Sequence, residues 1–391
     1  MRRFDVVTVG RSDWGIWQPV LRRLREEPDA HVRLLVGGAH LLAGHGQSVD
    51  RIERSGLGDV ERVEMSSEGD AAVDVAGTIA RGVAGFAACF DRARPDVVLV
   101  LGDRFEMFAA ALAAVPFVLP IAHLHGGERT AGAIDDALRH AMTKLAHLHF
   151  VSAEAHARRV RQLGEEAWRV VVSGAPALDD LLHLPRVDDE ELSRRVGVDV
   201  RRPFVLCTFH PVTLEPGQAA EQGTAVIAAL ADVDVPVVFT MPNADTGGLV
   251  IRRLIVEALA AHPGWRAHES LGLAAYGALL ARAAVVAGNS SSGIIEAPGF
   301  GVPVVNVGDR QGGRVRGPGV VDVEADRSVI VAALRRALRP ETRASLAGLP
   351  NPYGDGTASV RIVERLMQVP LDERLIKKGF VDVDEAPGHA S

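Results

Sequence analysis

The 391-residue sequence predicts an α/β protein made of two doubly wound, parallel-sheet domains. Three observations carry that prediction. Short aliphatic runs, such as 96–101 (DVVLVL), are apolar at nearly every position, as strands buried on both faces must be. Each run gives way to a turn bearing glycine or charge and then to a stretch of helical periodicity, so strands alternate with helices. The alternation runs twice, on either side of a charged segment, and the length exceeds what one hydrophobic core usually serves.

The first strand, 4–9 (FDVVTV), enters the turn Gly10-Arg11-Ser12-Asp13-Trp14-Gly15 and a helix over 16–25. The turn lacks the GxGxxG spacing of a dinucleotide fold, so Arg11 and Asp13 read as site residues or as helix caps. Strands follow at 32–36 and 60–65, with a helix over 46–55 between them. A long helix over 71–94 precedes the strand 96–101, which ends in Gly102-Asp103-Arg104, where an open α/β sheet places its ligand groups. A helix over 105–114 and a strand over 117–122 lead into His123-Leu124-His125-Gly126-Gly127-Glu128. The helix over 133–146 has Asp135 and Asp136 in its first turn, where carboxylates suit the dipole. Arg139 and His140 share a face with Asp136.

Strands at 149–151 and 170–172 and helices over 154–163 and 177–182 complete a domain spanning 1–185. The charged segment up to 202 reads as a linker. A second domain, 203–358, has strands at 204–208, 235–240, 265–268, 284–287 and 304–307, and helices over 249–261, 273–283 and 328–339. A helix within 359–369 closes the fold, and 370–391 reads as a flexible tail. The economical architecture is two facing Rossmann-like domains with a central cleft, of the glycosyltransferase-B type.

Composition narrows the class. An apolar share of 47% with 24% charged residues is that of a soluble globular protein, and a net charge of −7 argues against a nucleic-acid partner. No signal-peptide pattern opens the chain and no apolar run approaches a membrane span, which points to a cytoplasmic protein with no membrane partner. Cys89 and Cys207 form no CxxC, so neither a disulfide frame nor a metal site is expected. Three lysines stand against forty arginines, a bias that reads as genome composition.

Two constellations carry chemistry. Asp103, Glu128 and Asp136 lie at two strand ends and one helix start; clustered carboxylates raise one another's pKa, leaving one protonated while another stays basic. They read equally as an ion-pair net with Arg104, Arg139 and the nearby histidines, and the two readings are compatible. In the second half, Gly288-Asn289-Ser290-Ser291-Ser292-Gly293 offers N–H groups, hydroxyls and a helix dipole to an anion, or simply an N-cap. Arg310 and Arg314 add guanidinium groups suited to phosphate, and Glu296 is placed to accept from ribose hydroxyls. His210, at a strand end, serves either as donor to a leaving diphosphate or as a structural residue.

Taken together, 102–106 (GDRFE), 123–144, 210–213 (HPVT), 242–248 (PNADTGG) and 288–314 resemble, in order, the motifs of the hydrolysing UDP-N-acetylglucosamine 2-epimerase family of sialic-acid-type sugar biosynthesis. The resemblance spans roughly 4–368. It implies no cofactor, a nucleotide sugar as the small-molecule partner, a homo-oligomer (dimer or tetramer), and conversion of UDP-N-acetylglucosamine or a related UDP-2-acetamido sugar to UDP and the free 2-epimer, N-acetylmannosamine in the family. By motif position Asp103, Glu128 and Asp136 match the catalytic carboxylates and His210 the catalytic histidine. Arg11, Ser290, Ser291, Glu296 and Arg310 match nucleotide-holding positions, with Asp13, Asn243, Asp245 and Arg314 in the same binding motifs.

The residue types suit an anti elimination to a glycal followed by hydration. A pyranose C2 proton is too weakly acidic for a carboxylate until the C1–O bond to the diphosphate opens, and returning a proton from the other face needs a second acid/base group. One departure stands out: the family's first loop reads TGxRA(D/E)YG, whereas Val9, Ser12 and Trp14 stand here. That change motivates an alternative, a transferase on the same scaffold in which another acceptor, such as a nucleobase, captures the activated anomeric carbon. A binding module without catalysis is disfavoured, because unemployed buried charges at Asp103, Glu128, Asp136 and His210 would cost stability.

Overall fold

The computed structural model describes residues 1–42, 48–65, 71–129, 134–211, 217–242 and 248–382. Its strands form two sheets in which every pairing is parallel. The chain divides into two units, Met1–Asp179 with Thr357–Ser391, and Asp180–Gly356.

In the first unit the elements run β1 (Arg2–Thr8), α1 (Arg11–Glu26), β2 (Ala30–Val36), α2 (Val49–Ser55), β3 (Asp59–Arg62), α3 (Ala72–Arg92), β4 (Val97–Leu101), α4 (Phe105–Ala114), β5 (Ile121–Leu124), α5 (Ile134–Leu145), β6 (Leu148–Val151), α6 (Glu154–Gln162), β7 (Val170–Val172) and α7 (Ala177–Leu182), the last crossing the division. Spatial order is β3-β2-β1-β4-β5-β6-β7. The central strands are apolar because helices cover both faces: Phe4, Val6 and Val7 of β1 and all of β4 are buried.

The second unit continues with α8 (Asp189–Val196), β8 (Val205–Thr208), α9 (Ala219–Ala231), β9 (Val237–Thr240), α10 (Gly248–Ala261), β10 (Arg266–His268), α11 (Gly272–Arg282), β11 (Val285–Gly288), α12 (Ser291–Ile295), β12 (Val304–Val307), β13 (Val320–Val323), α13 (Arg327–Ala337) and α14 (Pro340–Leu346). Its sheet order is β10-β9-β8-β11-β12-β13. The order reverses beside β1 and β4 in one sheet and beside β8 and β11 in the other, the points where such sheets bind ligands. Finally α15 (Ala358–Gln368) and α16 (Glu373–Ile376) return to the first unit.

The units divide differently from the expected domains. The charged segment is no linker: Asp188 caps α8 by accepting from the N–H groups of Glu190 and Glu191, and Leu192 and Val196, four residues apart, are buried in the second unit's core. Two apolar residues on one face suffice for a short helix whose other faces are charged. The second unit also contains α9, β13 and α14, which sequence patterning missed. The closing helix belongs to the first unit, where Ile362, Val363 and Leu366 join the core and the buried Asp179 carboxylate accepts from the N–H groups of Ala358 (2.9 Å) and Ser359 (2.6 Å).

Much of the expected flexible tail is docked. Arg169, with no exposed surface, donates to the carbonyls of Leu375 and Arg374 at 2.8 Å each. Lys378 Nζ donates to the last carbonyls of α5, Lys144 O at 2.6 Å and Ala146 O at 2.8 Å, and to Glu165 Oε1 at 3.0 Å. All three lysines thus lie along this tail or its dock, with Lys144 also donating to Glu165 at 2.6 Å. A compact ammonium suits carbonyls at a helix end.

One helix, α3, is long and apolar enough by length and composition to cross a membrane, contrary to the reading of the sequence; its inner face (Thr78, Gly82, Phe86, Cys89, Phe90) packs into the first unit. Replacing Arg169 by methionine strips the tail of its buried donor. We expect a loss of about 3 kcal/mol, read as a lower urea midpoint with unchanged slope.

Candidate active site

The first unit gathers its charged residues at the carboxyl ends of β1, β4 and β5. β5 runs two residues further than expected, because the chain turns at Val118 (φ 53°) before entering it. His123 is therefore inside the strand and fully buried. Its Nε2 lies 2.8 Å from Gly102 O and its Nδ1 3.3 Å from Thr143 Oγ1 of α5, so it ties the Gly102-Asp103-Arg104 turn to β5 and α5. Burial pushes its pKa down to about 3, which keeps the ring neutral.

Arg139, buried on α5, joins the catalytic candidates. It pairs with Asp103, donates to His125 O at 2.8 Å, and lies 3.9 Å from Glu128 Oε2. Glu128 in turn accepts at Oε1 from His125 Nδ1 (2.7 Å) and from Ser152 Oγ (2.8 Å). A carboxylate only accepts, so His125 carries a proton on Nδ1, and Nε2 is the nitrogen left for a proton to be taken up or given. That buried Nε2 has no hydrogen-bond partner among the described residues. His125 also holds φ at 60°, a left-handed conformation rare outside glycine and costly unless the surroundings enforce it. Glu128 thus sits behind a strained histidine, orienting it.

The first turn of α5 separates two neighbouring aspartates. Asp135 is raised by burial and then by the Asp103 charge, so these two carboxyls sense each other. Asp136 instead lies 3.6 Å from His140 Nε2, one turn along. Motif position suggested Asp136, whereas Asp135 is the carboxyl on which the Asp103 charge acts. Adjacent helical residues point about 100° apart, so only the docked helix decides which one turns toward the sheet end.

Beside this cluster, Asp13 is buried in the first turn of α1 and accepts from Val9 N–H at 3.2 Å. Burial lifts its carboxyl to about 6, with the Arg104 charge opposing. His40 bridges Thr8 Oγ1 (2.9 Å) and Ser48 Oγ (2.7 Å), and is lowered to about 4 by burial, then by Arg104 and Arg11. Of the three departures in the first loop, Val9 and Trp14 are core residues and only Ser12 is exposed.

In the second unit the sites meet at the ends of β8, β11 and β12. Asn289, fully buried, accepts from His210 N–H at 2.7 Å and donates to His210 O at 2.8 Å, locking two strand ends together. Its own carbonyl accepts from Arg310 Nη1 (3.1 Å) and Gln311 Nε2 (2.8 Å), which brings Arg310 to the serine loop. Gly288 has φ 114°, and a Cβ there would stand 2.1 Å from Thr208 O, so no other residue fits. Ser290 caps α12 by accepting from Ser292 N–H at 3.4 Å, and Ser291 opens that helix. Ser292 Oγ donates to Glu296 Oε2 at 2.5 Å, and burial raises Glu296. Arg314 lies in the loop after β12 with Arg310. Asn243 and Asp245, like Val212 and Thr213, fall outside the described residues.

A family model described as UDP-N-acetylglucosamine 2-epimerase matches residues 22–367. The chain belongs to the UDP-N-acetylglucosamine 2-epimerase family. A Legionella pneumophila relative, UDP-N,N'-diacetylbacillosamine 2-epimerase (hydrolyzing), is 37% identical across 97% of this chain and 99% of its own. The Campylobacter jejuni GDP/UDP-N,N'-diacetylbacillosamine 2-epimerase (hydrolyzing) is 31% identical across 83% and 84% respectively. Among solved structures, UDP-GlcNAc 2-epimerase from Neisseria meningitidis bound to UDP-GlcNAc matches with TM-score 0.79 at 19% identity, covering 94% of this chain and 100% of that one. The two parallel-sheet α/β domains are thus the glycosyltransferase-B-like fold of this epimerase family.

Asp13 provides a pH test of the site. Its folded value of about 6 lies above the ordinary 3.8, so its stabilising contribution is complete below the lower value and lost as pH rises through the higher one. Asp13→Asn removes that dependence. In urea titrations the variant should match wild type near pH ~4 and exceed it by about 3 kcal/mol at pH ~8.

Proposed function

We propose that this epimerase-family chain is a hydrolysing 2-epimerase acting on a UDP-linked 2-acetamido sugar. The observation that carries the reading is the set formed by Asp103, Asp135, Arg139 and the His125–Glu128 pair: several proton-handling groups at one strand-end edge, with Asp135 raised by burial and then by the Asp103 charge. Removal of a C2 proton and its return to the opposite face need two such groups.

In the first half-reaction the C1–O bond to the diphosphate opens, its electron pair leaving with UDP. A group of the first unit takes the C2 proton, and the C2–H electron pair becomes the C1=C2 bond of a glycal. In the second half-reaction water adds its oxygen to C1 and gives up a proton to a basic group, while C2 is protonated from the other face. Free sugar and UDP result. Asp103, Asp135 and His125 Nε2 are the groups we assign to these transfers. Arg139 and Glu128 orient them, and Asp136 is assigned a surface pairing with His140.

Charge on the departing diphosphate is taken up in the second unit by His210, Arg310 and the N–H groups and hydroxyls of Ser290 and Ser291, and Glu296 holds the ribose. Asp13 supports the Arg11 loop. Arg314, Asn243 and Asp245 complete the proposed binding set. The names of the Legionella and Campylobacter relatives favour a 2,4-diacetamido sugar, so UDP-N,N'-diacetylbacillosamine and UDP-N-acetylglucosamine are the first substrates to compare. The transferase alternative draws less support, since two of the three departures that motivated it, Val9 and Trp14, pack in the core and only Ser12 is exposed.

Turnover in heavy water should yield free UDP and product carrying deuterium at C2; unlabelled product would sink the elimination route. Asp103→Asn and Asp135→Asn should each lower kcat by about 100-fold or more, and Asp136→Asn by less than about tenfold. Equal losses at 135 and 136 would count against the assignment of Asp135.

A further inference from the structure

Tyr276 is a partly buried phenol, packed against the second unit's core, that the proposed chemistry leaves unused. It projects from α11, and its Oη is hydrogen-bonded to Ser292 Oγ, whose other partner is Glu296 Oε2 at 2.5 Å. Chemistry sets the direction of this chain. Glu296 as a carboxylate can only accept, so the single hydroxyl proton of Ser292 goes to it, and Tyr276 must donate to Ser292. Burial, and then the Glu296 charge, pushes the phenol's pKa upward, so Tyr276 keeps its proton and remains a donor.

A carboxylate shielded from water is costly in its ionised form until donors surround it. Burial raises Glu296 here, with Ser292 opposing. Tyr276 strengthens that opposition from one position further back, because a hydroxyl that accepts a hydrogen bond becomes a better donor. The carboxylate can accept several hydrogen bonds, and a ligand with two neighbouring hydroxyls supplies what the relay does not. Rotation of Glu296 away from the serine loop would break the 2.5 Å contact, so the relay also holds the carboxylate beside Ser290 and Ser291.

We propose that Tyr276 is a positioning residue for ribose recognition: through Ser292 it orients the Glu296 carboxylate to accept from the 2′- and 3′-hydroxyls of a uridine nucleotide. The inference rests on the nucleotide site assigned above and extends it to a residue that contacts the ribose only through others. Phenylalanine at 276 keeps the ring that packs among Ala275, Leu279 and Leu280 of its helix and removes only the donor.

The test is calorimetric titration of UDP and of 2′,3′-dideoxy-UDP into wild type, Tyr276→Phe, Ser292→Ala and the double variant. Each single substitution should weaken UDP about tenfold and leave 2′,3′-dideoxy-UDP unchanged, since the relay acts only on the diol. Because the two residues act in series, the double variant should bind UDP no more weakly than Ser292→Ala alone. Equal weakening of both ligands would reduce Tyr276 to a packing residue, and no weakening of either would overturn the relay. Should Tyr276→Phe misfold, Ser292→Ala tests the same relay from its middle. A wild-type protein that fails to bind UDP would overturn the nucleotide site itself, a result distinct from a relay that fails on a working site.

Discussion

One guanidinium organises the first unit. Arg139 reaches from α5 to the turn after β4, through Asp103, and to the turn after β5, through the carbonyl of His125. Without it, the turns after β4 and β5 would lose the side chain that joins them. Breaking a buried pair of this kind by removing one partner costs roughly 3–5 kcal/mol, because the remaining charge stays buried. The left-handed conformation of His125 persists because Arg139 secures its carbonyl while Glu128 holds its ring.

The second unit solves the analogous problem without charge. Asn289 spans two strand ends with a reciprocal amide pair to His210, and its carbonyl gathers Arg310 and Gln311. Both of its amide groups and its own carbonyl are satisfied, so a fully buried polar residue is affordable there. The close approach of Gly288 to Thr208 makes the lock possible, because any Cβ at 288 would part the strands. One unit therefore concentrates carboxyls and imidazoles, and the other hydroxyls, amides and guanidinium groups.

The C-terminal tail links this machinery to the rest of its unit. Lys378 caps the end of α5, the helix whose opposite end carries Asp135 and Arg139. Lys144 and Lys378 share the Glu165 carboxylate, which they and His149 hold at about pKa 2 against its burial. Two of the three lysines, Lys144 and Lys378, thus stand where a small, tetrahedral donor meets carbonyls and a buried carboxylate.

Alternating apolar runs and helical periods were enough to specify two parallel-sheet units, because strands buried on both faces and helices covering them leave no other pattern. Ordered motifs were enough to place the family, and they nominated Asp103, Glu128, His210 and the serine loop as candidates. The sequence could not show that the Asp103 charge acts on Asp135, since that depends on the rotation at which α5 docks. Nor could it show that His125 is strained and backed by Glu128, since a backbone dihedral is set by contacts distant in the chain. The charged segment concealed α8 for a related reason: two inward residues define a helix only once there is a core to receive them. Local chemistry is written in residue order, whereas facing, strain and burial arise only when segments far apart in the chain compete for the same space.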